Sequence, residues 1–392
     1  MVDFPVFDAD NHYYEPKDAF TRHLDPSMQR RTMQWANIDG KERLLVGGSI
    51  NRFIPNPTFA NVSRPGALAD YFRAKAGVGD MRAAFGELDP IEDRPEYRDR
   101  AARLRLMDEQ GLEATIMLPT LGVGMEAALE RDPEALTAAF RAFNRWLQED
   151  WGFNFQGRIY AAPYITFVEV DWAVEELEYA LEHDAGVVLI RPGSVFGFER
   201  RRTPGDPAHD AFWSRLNESG VTLVLHGGDC SYAPYEQLWG LAGETESFRV
   251  PPLKRLLSAS PIQDTMASFM ADRLFERFPN LRVATIETGS GWVAPLLSKL
   301  RTISIQVPGV FDQDPYELFM EHVWVSPFFE DDVLKLVERI GADRVVFGSD
   351  YPHAEGLADP LSFVKEIDGL PEADVRKIMH DNARALVTPR PL

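Results

Sequence analysis

From residue 113 onward, the sequence alternates short β-branched apolar segments with longer amphipathic stretches. The apolar segments predict strands, and the stretches between them have the periodicity of helices. With the N-terminal segment Val6–Asp10 there are eight predicted strands, and each except the first is followed by a predicted helix. Eight such units predict an α/β protein that folds as a (β/α)₈ TIM-like barrel. The other predicted strands are Ala114–Leu118, Ile159–Ile165, Gly186–Arg191, Val221–His226, Arg282–Glu287, His322–Ser326 and Arg344–Gly348.

Local signals at the ends of the predicted helices agree with this pattern. Asp206-Pro207 places a capping carboxylate and a first-turn proline before one helix, and Gly220 follows the same helix as a stop signal. The predicted helices are Glu126–Glu149, Val170–Glu182, Pro207–Glu218, Ile262–Phe278, Trp292–Ile305, Asp331–Ile340 and Leu361–Ile367.

Residues 26–98 interrupt the repeat between the first and second predicted strands. This segment combines several prolines and the pair Gly47-Gly48 with one short apolar run, Leu44–Val46. We interpret it as a long insertion within a single barrel domain that spans residues 1–392. It predicts either a hairpin and loop that cover the mouth of the barrel, or irregular surface or a dimer contact.

Composition and charge narrow the function classes. The net charge of −20 disfavours binding to nucleic acid and to anionic membranes. The single cysteine, Cys230, excludes an internal disulfide, and the N-terminus lacks the pattern of a signal peptide. No apolar run is long enough to span a bilayer. We therefore expect a cytoplasmic protein with no nucleic acid or membrane partner.

Several predicted strands end in residues that bind metals or titrate. In a parallel barrel the carboxyl ends of all strands meet at one face, where active sites lie. Alternation along the first strand would place Asp8, Asp10 and His12 on one side. Asp10, His12, His226 and Asp350 together offer two imidazoles and two carboxylates, which suit Zn²⁺ or Mn²⁺, with zinc favoured. Each residue alone has a structural explanation, such as a packing histidine or a loop-capping aspartate, and only the joint pattern favours a metal site.

Three further residues are candidate catalytic groups beside Asp350. Glu287, after the sixth predicted strand, could act as a general base, bind the metal, or orient a neighbouring side chain. Arg191 could clamp a substrate carboxylate, or form a buried ion pair with Glu287 or Asp229. His353 could act as an acid or base, although a loop histidine bonded to a backbone carbonyl is the simpler interpretation.

On these residues the chain resembles the amidohydrolase superfamily (amidohydrolase 2), in the branch of aminocarboxymuconate-semialdehyde decarboxylase and the hydroxybenzoate decarboxylases. Asp10-Asn11-His12 is similar to the acidic version of the branch's first-strand motif. His226 matches the histidine ligand of the fifth strand, and Asp350 in Gly-Ser-Asp-Tyr-Pro matches the aspartate of the eighth. The sixth strand departs from the pattern, because the resemblance implies a histidine where Glu287 stands.

The resemblance implies nonoxidative decarboxylation of an aromatic or unsaturated carboxylic acid by a metal-dependent carboxy-lyase. Glu287 favours the alternative, a hydrolase of an ester, amide, lactone or C–C bond that uses a metal-bound water. A metal-free barrel that only binds ligands is a third possibility. The resemblance also implies a homodimer and a small-molecule carboxylic acid or related compound as substrate.

Overall fold

A computed structural model of the protein describes residues 3–73, 81–197, 200–241, 251–257 and 260–392. Its strands are, in chain order, β1 (Val6–Tyr13), β2 (Met33–Ile38), β3 (Lys41–Val46), β4 (Ser49–Ile50), β5 (Asn61–Ser63), β6 (Leu88–Pro90), β7 (Leu112–Pro119), β8 (Ile159–Ala161), β9 (Val187–Ile190), β10 (Thr222–His226), β11 (Val283–Ile286) and β12 (Val323–Val325). All residues of β1 and of β8 to β12 are buried, as expected for the inner wall of an α/β fold.

Two parallel sheets form the barrel. One has the strand order β1-β7-β8 and the other the order β12-β11-β10-β9. On one side Tyr164, just beyond β8, pairs with Leu189 of β9. On the other side the segment 345–347 pairs with β12, and Ala9 of β1 donates a backbone hydrogen bond to Phe347 at 2.9 Å. The wall therefore closes on itself, which confirms the predicted (β/α)₈ barrel.

The eighth predicted strand, Arg344–Gly348, is the least regular wall element. It follows a 3₁₀ turn, Ala342–Arg344, and contributes isolated backbone hydrogen bonds instead of a ladder. Val346 donates to Val325 of β12 at 3.0 Å, and Asp350 donates to Asp10 of β1 at 2.8 Å. These few bonds still place the segment between β12 and β1.

Most predicted helices are present, with changes at their ends and two interruptions. The predicted helix Ile262–Phe278 is divided at Asp272-Arg273, because Arg273 has a left-handed conformation with a φ of 55°. The predicted helix Glu126–Glu149 is two helices, because Asp132 starts a second one by accepting a hydrogen bond from Ala135 N at 3.2 Å. The helices are α1 (Ala69–Phe72), α2 (Met81–Phe85), α3 (Arg100–Gln110), α4 (Met125–Leu129), α5 (Pro133–Asp150), α6 (Val170–Glu182), α7 (Asp210–Ser219), α8 (Ala233–Leu238), α9 (Pro252–Leu256), α10 (Pro261–Ala271), α11 (Leu274–Arg277), α12 (Val293–Gln306), α13 (Pro315–His322), α14 (Val333–Ile340), α15 (Glu372–Arg376) and α16 (Asn382–Leu386), with Pro360–Ile367 forming a 3₁₀ helix and Lys377–Asp381 a π-helix.

The chain between β1 and β7 carries its own small sheets. Strands β2, β3 and β4 form an antiparallel sheet, and β5 pairs with β6. The β2–β3 hairpin turns at Asp39-Gly40, where both residues have positive φ as a tight hairpin turn requires. This region also contacts the loop after the eighth wall segment, because Gly66 donates a hydrogen bond to the backbone oxygen of His353 at 3.0 Å and Leu68 donates to Ala354 at 2.8 Å. Within the described ranges, no helix is both long and apolar enough to cross a membrane.

Candidate metal centre

Five residues with metal-binding or titratable side chains lie at the carboxyl ends of the barrel strands. Asp10 and His12 belong to β1, His226 is the last residue of β10, and Glu287 follows β11 directly. Asp350 follows the eighth wall segment. Because the strands are parallel, their carboxyl ends open at the same face of the barrel, and the five side chains converge there.

The contacts among these side chains are short. His226 Nε2 lies 2.8 Å from Glu287 Oε2, and His12 Nε2 lies 3.3 Å from the same oxygen. His12 Nε2 also lies 3.2 Å from Asp10 Oδ1 and 3.3 Å from Asp350 Oδ1. One ligand atom each from Asp10, His12, His226 and Glu287 lies within 4.8 Å of the other three. The structure therefore brings three of the four sequence-predicted ligands, Asp10, His12 and His226, into one group with Glu287. The fourth, Asp350, lies at the edge of this group beside His12.

Three of the converging atoms are buried and, although they lie close to one another and to Glu287, none makes a contact with hydrogen-bond geometry among the described residues: Asp10 Oδ1, His12 Nε2 and His226 Nε2. His226 Nδ1 lies 2.7 Å from the carbonyl oxygen of Gly227. That nitrogen donates to the carbonyl, which directs Nε2 toward the cluster, and a histidine held in this way can ligate a metal once Nε2 is deprotonated. Buried polar atoms without partners are costly, and one cation at their centre would satisfy all three. The donor set fits a divalent metal ion.

The charges of the cluster also favour a bound cation. Burial opposes the protonation of His226, but the carboxylates of Glu287 and Asp10 outweigh burial and raise the pKa of His226 to about 10. Burial and the charge of Glu287 raise the pKa of Asp350 well above its usual range. The carboxylates of Asp10 and Glu287 thus create a negative field at this face, and a divalent cation would offset it.

Special backbone geometry helps to hold the cluster. Glu287 and Asp350 both have left-handed conformations, with φ of 50° and 55°. Such conformations are uncommon for residues other than glycine and concentrate at functional sites. Gly348 lies so close to β1 that an added Cβ would be 2.5 Å from the Cβ of Asp10. Only glycine allows the eighth wall segment to approach Asp10 in this way.

Asp8 does not join Asp10 and His12, although strict alternation predicts one shared face. The pairing of β1 with β7 is irregular between Asp8 and Asn11, and this shift breaks the alternation. Asp8 instead accepts hydrogen bonds from the backbone N–H of Ser349 and from Asn11 Nδ2, each at 2.9 Å. Its role as a link between β1 and the eighth segment carries no local sequence signal.

His353 lies beside the cluster with its ring centroid 4.1 Å from that of His12. Its Nδ1 is 2.5 Å from Asp350 Oδ1, and its Nε2 is 3.0 Å from Thr120 Oγ1. The ring is thus held by two side chains, and the simpler interpretation, a bond to a backbone carbonyl, does not describe it. Thr120, directly after β7, is a site neighbour that the sequence did not predict, because no motif marks it.

Arg191 belongs to a different buried network. Its guanidinium donates to Ser231 Oγ at 2.7 Å and to the backbone oxygens of Asp229 and Ser194 at 3.3 and 3.2 Å. Glu126 and Glu130 lie 3.8 Å away as its ionic partners. Neither alternative ion pair, with Glu287 or with the Asp229 side chain, is found. The interactions described for Arg191 are with α4 and its following residue Glu130 and with the loops after β9 and β10, and they do not reach the metal cluster.

A cavity of about 330 Å³ opens beside the cluster. Asp10, Glu287 and Asp350 form part of its wall. Glu287 has the most exposed side chain of the three, at 26% against 6% for Asp10 and 13% for Asp350. The remaining lining residues are three phenylalanines, two glutamates and the loop residues between them: Phe72, Ser326, Pro327, Phe328, Phe329, Glu330, Gly348, Ser349, Glu355 and Gly356.

The fold and this site define a barrel protein with a candidate divalent-metal centre, and sequence comparison assigns the family. Residues 7–388 match the amidohydrolase family, so the chain belongs to it. It is thereby an enzyme of the amidohydrolase superfamily, as the resemblance predicted. The family and the side-chain cluster together support a divalent metal. No match was found among curated proteins.

Solved structures resemble this chain over most of its length. Amidohydrolase map2389c from Mycobacterium avium subsp. paratuberculosis K-10 is 42% identical, with a TM-score of 0.93 and coverage of 99% of this chain and 100% of that one. Two decarboxylases share the fold at low identity. They are 2,6-dihydroxybenzoate decarboxylase from Rhizobium (21% identity, TM-score 0.57, coverage 83% and 96%) and 5-carboxyvanillate decarboxylase from Novosphingobium aromaticivorans complexed with manganese (14%, 0.57, 98% and 96%).

Proposed function

We propose that this chain is a metal-dependent decarboxylase of an aromatic or unsaturated carboxylic acid. The observation that carries the proposal is the convergence of unpaired buried ligand atoms at the wall of a cavity that also presents phenylalanine rings. The decarboxylases of similar fold add support, although their identity to this chain is low. The homodimer and the cytoplasmic location stay predictions.

Asp10, His12 and His226 would hold the ion, with Glu287 as a fourth ligand. These four residues form one compact group, and Asp350 lies at its edge in a second group with His12, Glu287 and His353. A set this rich in carboxylate oxygens suits Mn²⁺ as well as Zn²⁺. When bound, the cation supplies Lewis-acid polarisation of a substrate carboxylate or neighbouring oxygen.

Asp350 and His353 would handle the proton. In decarboxylation the bond from the substrate carbon to the carboxyl group breaks, its electron pair stays on that carbon, and a proton must replace the lost CO₂. Asp350 lines the cavity, burial raises its pKa well above the usual range, and His353 Nδ1 is 2.5 Å from its Oδ1. A proton shared by this pair is held at the cavity wall, where the substrate carbon can receive it.

The cavity favours a flat unsaturated substrate. Phe72, Phe328 and Phe329 offer apolar ring surface against which an aromatic or conjugated molecule can pack. Arg191 donates to three loop oxygens and lies beside two carboxylates, so we assign it a role in holding the loops and not in binding the substrate carboxylate.

Hydrolysis is the second candidate function. Glu287 presents a partly exposed carboxylate to the cavity, within 3.3 Å of both ligand histidines. A carboxylate in that position can accept a proton from a water molecule that attacks an ester, amide or lactone. This role competes with metal ligation by the same side chain.

The test begins with metal content and then compares the two reactions. Purified protein is analysed for bound metal, loaded with Mn²⁺ or Zn²⁺, and assayed for CO₂ release from a panel of aromatic and unsaturated acids and for hydrolysis of esters and lactones. We expect about one equivalent of metal and CO₂ release. The His12→Ala/His226→Ala double variant should lose both, whereas the control double variant His23→Ala/His183→Ala should keep both. Absence of metal from the loaded wild type would contradict the proposal and favour a ligand-binding barrel.

A further inference from the structure

Arg103 of α3 is a fully buried arginine behind the metal centre. Its Nε donates to the backbone oxygen of Glu96 at 2.7 Å, and its Nη2 donates to the backbone oxygen of His12, also at 2.7 Å. Its Nη1 donates to the side-chain oxygen of Asn11. The guanidinium also lies 5.6 to 5.9 Å from the ring centroids of Tyr97, Trp151 and Tyr351. No carboxylate among the described residues forms an ion pair with it.

The hydrogen bonds of Arg103 continue to the segment that carries Asp350. Asn11 accepts from Arg103 and donates through Nδ2 to Asp8 Oδ2 at 2.9 Å. Asp8 in turn accepts from the backbone N–H of Ser349 at 2.9 Å and from its hydroxyl at 2.5 Å. An unbroken buried chain of hydrogen bonds therefore joins Arg103 to the residue that precedes Asp350.

A direct backbone contact reinforces this chain. His12 N donates to the backbone oxygen of Tyr351 at 2.7 Å, and the ring of Tyr351 lies near the guanidinium. The His12 N–H belongs to the peptide bond between Asn11 and His12, and Arg103 contacts both of these residues. It donates to the side-chain oxygen of Asn11 and to the backbone carbonyl of His12. The guanidinium is planar and points several N–H groups in fixed directions, so it can hold these acceptors in one geometry.

We propose that Arg103 is a positioning residue of the metal centre, which fixes the His12 peptide directly and the Ser349–Asp350 segment through Asn11 and Asp8. The inference rests on the proposed metal site and concerns its geometry, not the reaction. Outer partners of metal ligands commonly set metal affinity, because they orient the ligating atoms before the ion binds. A residue that only filled space would affect folding stability and leave the ion's surroundings unchanged.

Arg103→Lys tests this inference, because it keeps the charge but cannot reach Glu96, His12 and Asn11 at once. Mn²⁺ alone is the probe, with affinity measured by chelator competition and ligand symmetry by electron paramagnetic resonance. We expect Mn²⁺ binding about 10- to 100-fold weaker than in wild type, together with an altered resonance spectrum. Circular dichroism checks that the variant is folded.

Arg98→Lys is the matched control. Arg98 also donates to backbone oxygens after β1, those of Tyr14 and Glu15 at 3.1 and 3.2 Å, but it contacts no residue of the metal cluster. Its replacement should leave Mn²⁺ affinity unchanged. If Arg103→Lys does not fold, the Mn²⁺ affinity of Asn11→Ala is measured instead. This variant interrupts the same chain of hydrogen bonds at the next residue and should weaken Mn²⁺ binding similarly.

The outcomes separate this inference from the proposed function. Wild-type binding of one Mn²⁺ with equal affinity and an equal spectrum in Arg103→Lys would overturn the positioning role and leave the metal centre standing. If Asn11→Ala is measured in its place, Mn²⁺ binding equal to that of wild type would likewise overturn the positioning role. Failure of the wild type to bind Mn²⁺ would overturn both.

Discussion

Glu287 occupies the position where the family resemblance implies a histidine, and its carboxylate lies 2.8 Å from His226 Nε2. The structure allows it to bind the ion or to face the cavity as a base. Glu287→Gln keeps the shape of the side chain and removes its charge. We expect Mn²⁺ binding to weaken by about tenfold or more, because loss of a charged ligand should reduce metal affinity at least as much as loss of an outer hydrogen-bond partner does. Chelator competition measures the change.

Glu355→Gln is the matched control for this residue. Glu355 lines the same cavity but lies outside the compact ligand group, so its replacement should leave metal affinity unchanged. An unaltered Mn²⁺ affinity in Glu287→Gln, combined with a strong loss of turnover, would assign Glu287 to proton transfer instead of metal ligation.

His322, at the end of α13, is a buried histidine away from the metal centre. Its Nδ1 lies 2.7 Å from the backbone oxygen of Leu281, its ring stacks on Phe275, and burial lowers its pKa from the ordinary value of 6.5. Below pH 6.5 the His322 imidazole becomes protonated in the unfolded chain, whereas in the folded chain it stays neutral until the pH is lower. The contribution of His322 to the free energy of unfolding is therefore present above that pH and lost as the pH falls.

His322→Gln removes this dependence. Urea unfolding at pH 7.5 should show the variant to be less stable than wild type, because a hydrogen bond and a ring contact are gone. At pH 5.5 the difference should narrow, by no more than about 1.4 kcal/mol per pH unit. His23→Gln, at an exposed histidine paired with Glu149, is the control. A gap that stays constant between the two pH values would contradict the assignment.

At the scale of elements, the insertion between β1 and β7 is joined to the loop that carries His353. Gly66 has a φ of +68°, and a Cβ there would lie 2.6 Å from the backbone nitrogen of Ala358. Gly66→Ala should therefore combine backbone strain with a clash against this loop. We expect it to lower the free energy of unfolding by about 1–3 kcal/mol more than a substitution that causes strain alone, as measured by urea unfolding.

Gly40→Ala supplies that comparison. Gly40 has a φ of +73°, and a Cβ there would meet nothing within 4 Å. Its replacement carries only the cost of a left-handed conformation, about 1–2 kcal/mol. Equal losses in the two variants would mean that the insertion does not press on the loop of His353.

The elements predicted best are those whose signal is local. The apolar runs and caps of the sequence predict β10 and α6 to within one residue, because periodicity and capping act within a few positions. The predicted helix Pro207–Glu218 begins as a 3₁₀ turn, and α7 starts three residues later, at Asp210. The continuous helix Glu126–Glu149 was wrong, since Asp132-Pro133 ends one helix and starts another.

The site was predictable where topology alone determines it. Parallel strands must present their carboxyl ends at one face, so Asp10, His12, His226 and Asp350 were expected to meet. The ion pairs of Arg191 with Glu126 and Glu130 and the hydrogen bond from Arg103 to His12 join residues more than 60 positions apart in the sequence. Side-chain packing, not a local pattern, brings these residues together. The shifted register at Asp8 depends likewise on its neighbour β7.

At the scale of the whole molecule, the metal centre joins the two halves of the barrel wall. Asp10 and His12 come from the sheet β1-β7-β8, and His226 and Glu287 from the sheet that contains β10 and β11. These sheets otherwise meet through single bridges and the short segment 345–347. An ion held by ligands from both sheets would therefore act as a cross-link, and its binding energy would add to the stability of the closed wall.

Metal removal should consequently lower the stability of the whole barrel as well as abolish activity at the metal centre. At a Mn²⁺ concentration about 100 times its dissociation constant, linkage predicts a gain of about 2.7 kcal/mol in the free energy of unfolding, if the unfolded chain does not bind the ion. Thermal unfolding with and without a chelator measures this gain as a shift of the midpoint. The His12→Ala/His226→Ala variant should show no shift, because it lacks ligands from both sheets. A wild-type midpoint that is insensitive to chelator, in protein shown to contain metal, would mean that the wall closes without help from the ion.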